Sequence, residues 1–221
     1  MKYKIGMAFL VFITIGLIFA NGLINILINL IPEGIQIITL NPMEGFTTYL
    51  EVSFLIGITL MFPVMLYILL KYVTPAMYNN EKKLMYKLLF ICSILFLFGI
   101  IISFYGFVFF GLEWFNNFNI ANNYETLWSL QNTISSILTL CLVSGFVFQF
   151  PILLYYLIKK NVIKVKLDKM KRFIMIAVLL LIIGLITPDG SMASQLIIST
   201  PVYLLIEISV YLGNKYREVN K

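Results

Sequence analysis

Ten carboxylates, sixteen lysines and arginines, two cysteines and no histidine carry most of the reactive chemistry available to this 221-residue chain. Without histidine, imidazole ligation and imidazole proton relays are excluded. Cys92 and Cys141 both fall inside apolar runs and read as small packing residues rather than a disulfide or a metal pair. No paired carboxylates, nucleophile–base set, metal cluster or phosphate loop is evident, so no enzyme, cofactor or metal site is expected. What remains is recognition. Glu81 is the one acid in the segment YVTPAMYNNEKKLMYK, Tyr72–Lys87, which is otherwise charged by Lys82, Lys83 and Lys87. Such an acid could receive a positively charged peptide. The alternative is a solvated acid at a helix start, favoured by the helix dipole.

Other polar groups sit within apolar runs. Gln149 lies about ten residues, or ~15 Å, from Lys159, and Glu207 about six residues, or ~9 Å, from Gly213. An amide at such depth needs a hydrogen-bond partner, and an acid there suggests function, unless Glu207 snorkels toward Lys215. Asn21, Asn25 and Asn29 share one helical face, read as interhelical hydrogen bonding or as a water- or substrate-facing stripe. Glu44 and Glu51 are expected to be solvated at a membrane interface.

The elements that hold these groups are membrane spans. The chain is 61% hydrophobic and only 12% charged, against roughly 25% charged in soluble domains. Its apolar runs approach the ~20 residues needed to cross a ~30 Å hydrocarbon core, and the alternating segments of an outer-membrane barrel are missing. The first run has no small-residue cleavage site, so no cleavable signal is expected. The net charge of +6 does not suggest nucleic acid, because the basic residues sit at span ends.

Six spans are read, about 5–30, 49–70, 84–109, 134–158, 173–186 and 193–213. Pro63, Pro151 and Pro201 lie inside three of them and predict kinks. The fifth has only about fourteen apolar residues, or ~21 Å of helix, short of a full core. Pro75 discourages a continuous helix between the second and third spans, and Asn79-Asn80 favours a turn. Trp114 to Phe118 is expected to lie along the surface as a short amphipathic piece. Every Lys and Arg falls in the N-terminus, the second-to-third or fourth-to-fifth loop, or the C-terminal tail, and the three other loops contain none. The positive-inside rule then places both termini in the cytoplasm. The expectation is one all-α, polytopic six-span membrane domain over 1–221.

Several motifs occur together, in one order. The first outer loop has Pro42-Met43-Glu44-Gly45-Phe46. The Tyr72–Lys82 segment reads Y-V-T-P-A-M-Y-N-N-E-K, with Tyr72, Pro75, Tyr78 and Glu81 at its marked positions. The fourth span has Gly145-Phe146-Val147-Phe148-Gln149-Phe150-Pro151. The last outer turn has Thr187-Pro188-Asp189, followed by Gln195, Pro201 and Glu207. In these motifs the chain resembles the TatC family, the receptor subunit of the twin-arginine protein translocase, whose patterns are P-x-E-x-F, F-x-x-P-x-L-Y-x-x-E-[RK], G-x-x-F-E-x-P and P-x-x-x-x-x-E. It departs from them at Tyr72, where the family has Phe, and at Gln149, where it has Glu. The segment MKYKIGM lacks the family's H-L-x-E-L-R.

The resemblance implies a core receptor that binds twin-arginine signal peptides of folded precursor proteins at the cytoplasmic face, with Glu81, Tyr72, Pro75 and Tyr78 at the site. It implies recruitment of small single-span TatA/TatB-type subunits, with Gln149, Glu207 and Gln195 as intramembrane contacts and Pro42, Glu44, Phe46, Pro188 and Asp189 as an outer-loop motif. It further implies homo- and hetero-oligomers in contact with membrane lipid, in the cell membrane or an organellar membrane of bacterial descent. The competing reading is a secondary transporter or channel for a small solute. Kinked spans suit it, while the lack of intramembrane Lys, Arg and His and of any evident repeat between halves opposes it.

Overall fold

A computed structural model describes residues 2–32, 35–76, 79–159, 162, 169–186 and 192–219. The chain is almost entirely helical. Helix α1 covers Lys2–Asn29 and α2 covers Glu44–Val73. A 3-10 turn at Thr74–Ala76 precedes α3, Asn79–Gly106. After a π-helical segment at Phe107–Gly111 comes α4, Leu112–Ala121. Helices α5 (Leu130–Val147), α6 (Phe150–Lys159), α7 (Lys169–Ile186) and α8 (Met192–Val219) complete the bundle. Among the described residues, five stretches are long and apolar enough to cross a membrane: Phe9–Asn29, Glu44–Tyr72, Lys82–Ala121, Leu130–Lys159 and Ser194–Tyr216. The sixth long helix is α7. Lys169, Lys171 and Arg172 take up its first turn, so its apolar part is short, as its sequence suggests.

The helical assignment runs without interruption through Pro63 in α2 and Pro201 in α8. It lapses only before Pro151, over Phe148 and Gln149, which divides the fourth span into α5 and α6. Pro151 has no N–H to give to the Val147 carbonyl one turn back. Two other boundaries differ from the sequence reading. Asn79 and Asn80 open α3 rather than forming a turn. Trp114 to Phe118 belong to α4, which follows α3 and the π segment without a break and falls within the 40-residue apolar stretch Lys82–Ala121. No proline interrupts it, and the π segment absorbs the irregularity.

Close packing depends on small residues at helix crossings, the usual device where lipid and side chains are equally apolar. Gly16 of α1 lies against Ser53 of α2, where a Cβ would stand 2.2 Å from the Ser53 carbonyl oxygen. The Tyr49 hydroxyl donates to the Leu17 carbonyl at 2.6 Å across the same pair. Gly99 of α3 meets Gly145 and Ser144 of α5 in the same way: the Ser144 hydroxyl donates to the Gly99 carbonyl at 2.9 Å, and Phe96 and Phe148 fill the gaps beside the two glycines. Phe62 of α2 stacks on Phe96 at 3.8 Å between ring centroids, which ties α2 to the same crossing.

A feature without a sequence signal lies at the acidic end. Strand β1 (Gln36–Ile38) pairs in parallel with β2 (Leu127–Ser129), joining two loops some ninety residues apart. Its third pair, Ile38↔Ser129, brings the start of α5 to the loop that precedes α2.

Candidate functional site

The residues around Glu81 are set by the end of α2 and the start of α3. The backbone N–H and the hydroxyl of Thr74 both return to the Leu70 carbonyl, which closes α2. Pro75 and Tyr72 then stand at the surface, Tyr72 76% exposed. Tyr78 lies outside the described residues. Glu81 falls in the first turn of α3, where only its backbone is described. A helix N-terminus favours a carboxylate.

Below this connection, α2, α3 and α6 enclose an apolar groove of about 410 Å³, lined among others by Phe62, Leu66, Leu70, Leu89 and Leu153. Gln149 is the one side chain with an amide in its lining. The lapse before Pro151 places that amide against α3: Nε2 donates to the Cys92 carbonyl at 3.2 Å and to the Gly145 carbonyl at 3.2 Å. Gln149 therefore makes an internal contact, and its acceptors are not the carbonyl freed by Pro151. Gln149→Leu should then lower the melting temperature of the purified protein, while Gln149→Glu should be tolerated if protonated, since a carboxylic acid can donate as the amide does. Loss of one such bond costs about 1 kcal/mol, or a few degrees in Tm. A parent-like Tm for Gln149→Leu would mean that neither bond contributes.

Glu207 and Gln195 are not brought to this groove. Both lie on α8 and turn toward α7. Arg172 Nε sits 3.0 Å from Glu207 Oε1, and the Tyr203 hydroxyl donates to the same oxygen. Of the two readings its depth allowed, the alternative of reaching toward Lys215 is not the contact seen: the Glu207 carboxylate pairs with Arg172 instead. Arg172 stands at the start of a short α7, and that shortness brings its guanidinium down to the level of Glu207. Gln195 packs on Gly184, whose missing Cβ leaves room for the amide.

The outer motif divides. Pro42 is exposed and Phe46 is 57% exposed, but Glu44 is only 4% exposed and accepts a hydrogen bond from the Ser129 hydroxyl at 3.2 Å. Ser129 is also the N-cap of α5, accepting from the Asn132 N–H at 3.3 Å. Glu51 is half-buried, and its carboxylate receives Gln131 Nε2 at 3.2 Å and the Ser135 hydroxyl. Neither acid is simply solvated, as the sequence suggested. Each meets α5 because β1–β2 pairing carries that helix to α2. The signal available beforehand was two matching stripes: Glu44 and Glu51 two turns apart on one helix, Gln131 and Ser135 one turn apart on another. Pro188 and Asp189 lie outside the described residues. The Asn21, Asn25 and Asn29 stripe is exposed and faces away from the bundle, which of its two readings sets aside bonding between helices of this chain. Among the described residues no cluster of metal-ligating side chains occurs.

Three comparisons bear on this arrangement. The family described as "Sec-independent protein translocase protein (TatC)" matches residues 2–201. The chain is 30% identical over 195 residues to the "Sec-independent protein translocase protein TatC" of Aquifex aeolicus (strain VF5), covering 86% of this chain and 80% of that one. It is 28% identical over 222 residues to the TatCy protein of Bacillus subtilis (strain 168), covering 98% and 86%. A solved structure described as "Crystal Structure of Twin Arginine Translocase Receptor- TatC" superposes with a TM-score of 0.79 at 27% identity, covering 98% of this chain and 96% of that one.

Proposed function

This chain belongs to the TatC family of Sec-independent protein translocase proteins, and from that premise we propose that it is the translocase's signal-peptide receptor. It is a multi-pass membrane protein and a translocase component rather than an enzyme. In this reading it lies in the cell membrane as a single six-span domain, with both termini and the Glu81 segment in the cytoplasm, as the sorting of lysine and arginine favours.

The observation that carries the reading is the groove beneath the Glu81 segment. Export signals join a basic region to an apolar stretch of about 7–15 residues. A carboxylate in the first turn of α3 suits the guanidinium groups, and the exposed Tyr72 stands at the end of the helix before it. The apolar walls of α2, α3 and α6 suit the stretch that follows. Recruitment of small single-span partners fits the exposed asparagine stripe of α1. Carboxamides directed at lipid leave donors and acceptors without partners, which a polar helix face could satisfy.

The test is photo-cross-linking in membrane vesicles. A twin-arginine peptide with a photoreactive group in its apolar stretch should label Leu66 or Leu89 when added to inside-out vesicles. It should not label them in right-side-out vesicles. Labelling of the outer face instead, or only of residues remote from the groove, would reject the receptor reading.

A further inference from the structure

A second groove adjoins the first across Leu88 and Ile152, which face both. It is enclosed by α3, α6 and α8 and holds about 360 Å³. Its walls are almost wholly apolar, and two cations, Lys87 of α3 and Lys159 of α6, stand at one end. The Lys159 ammonium sits over the Tyr216 ring at 4.2 Å and within 5.8 Å of the Tyr155 ring, which orients it at the mouth. Among the described residues, no carboxylate forms an ion pair with either lysine. At the other end its lining reaches Leu95, Pro151 and Leu205.

We propose that this groove is a binding site for an acidic phospholipid, its phosphate held by Lys87 and Lys159 and one acyl chain lying between α3, α6 and α8. Length and charge argue for this occupant. The α3 wall runs from Leu84 to Leu95, about 16 Å at ~1.5 Å per residue. That is close to one leaflet of a ~30 Å core. A transmembrane partner helix would need a channel through both leaflets, whereas this one stops halfway. A soluble anion would use the two lysines but not the apolar walls. A zwitterionic lipid would fill the walls, but its own cation offsets its charge on the lysines. Basic pockets between spans are a recurrent form of lipid-headgroup site. The proposal rests on the orientation given above only in assigning the lipid to the cytoplasmic leaflet; the groove and its charge do not depend on signal-peptide binding.

The experiment compares retention of dioleoyl phosphatidylglycerol and dioleoyl phosphatidylcholine by the purified full chain in detergent, read by native mass spectrometry. The parent should retain the acidic lipid preferentially. A lysine near a membrane surface contributes about 1 kcal/mol toward anionic lipid. The double variant Lys87→Gln, Lys159→Gln should therefore lose about 25-fold of that preference, at ~1.4 kcal/mol per decade. Ser209→Phe, which obstructs the groove and leaves the charge unchanged, should lose retention too, and it serves where the lysine variant does not fold. Lys71→Gln with Lys83→Gln removes equal charge away from the groove and should retain the lipid.

An equal loss in that control would reduce the effect to surface charge and overturn the site. Equal retention of both lipids would do the same, as would displacement by free glycerol phosphate at matched concentration. Cross-linking of Ser209→Cys between two copies, with no lipid retained, would assign the groove to a protein contact instead. Each of these readings is taken without any signal peptide, so failure of the receptor function leaves the lipid result interpretable.

Discussion

Glu81→Gln is expected to weaken binding of a twin-arginine peptide by about ten- to more than a hundredfold while leaving insertion and thermal stability unchanged. The amide keeps the shape of the side chain but surrenders the charge, and one of its two acceptor positions becomes a donor facing a cation. A hydrogen bond to a charged group is worth about 1.5–3 kcal/mol, and each ~1.4 kcal/mol is a decade in affinity. Folding should not notice, because an acid in the first turn of a helix acts on it chiefly through the helix dipole. Titration of a labelled peptide into the purified protein measures the effect. An affinity within twofold of the parent would remove Glu81 from the site.

Gly16→Ala should destabilise the fold by about 3 kcal/mol, whereas Gly22→Ala, on the same helix, should stabilise it slightly. A Cβ at Gly16 would meet the Ser53 carbonyl oxygen at 2.2 Å, a backbone atom that cannot rotate aside, so α1 must separate from α2. Overpacking typically costs 1–3 kcal/mol, and a backbone obstacle belongs at the upper end of that range. The separation would also stretch the 2.6 Å bond from Tyr49 to the Leu17 carbonyl. Gly22 has nothing within 4 Å of its added Cβ, so alanine there brings only its better helix propensity, about 0.8–1 kcal/mol. Melting curves of the two variants in one detergent should therefore move in opposite directions. A Gly16→Ala protein as stable as the parent would show that α1 is not held at that crossing.

Much of this protein is legible without a structure. Runs of apolar residues near the length of a bilayer can satisfy their backbone only as helices. Hydropathy alone thus determined an all-α, membrane-spanning fold, the number of long helices and the shortness of the apolar part of α7. The placement of lysine and arginine supplied an orientation for them. The ordered motifs, from Pro42 through Glu81 and Gln149 to Glu207, pointed to the family that the comparisons then showed.

What the sequence could not determine is which way each helix faces. In a soluble helix the polar side marks the solvent. Here lipid-facing and core-facing residues are both apolar, so the pattern carries no contrast. The asparagine stripe of α1 could therefore be read as inward when it points outward, and Glu44 as solvated when α5 covers it. The pairing of Glu207 with Arg172, of Glu51 with Gln131 and Ser135, and of Gln149 with the Cys92 carbonyl was likewise decided only in three dimensions. Each links groups 35 to 84 residues apart. Their meeting depends on helix rotation, on the lapse before Pro151 and on the β1–β2 pairing. These follow from close packing at a few glycines and from hydrogen bonds across the chain, which no local pattern encodes.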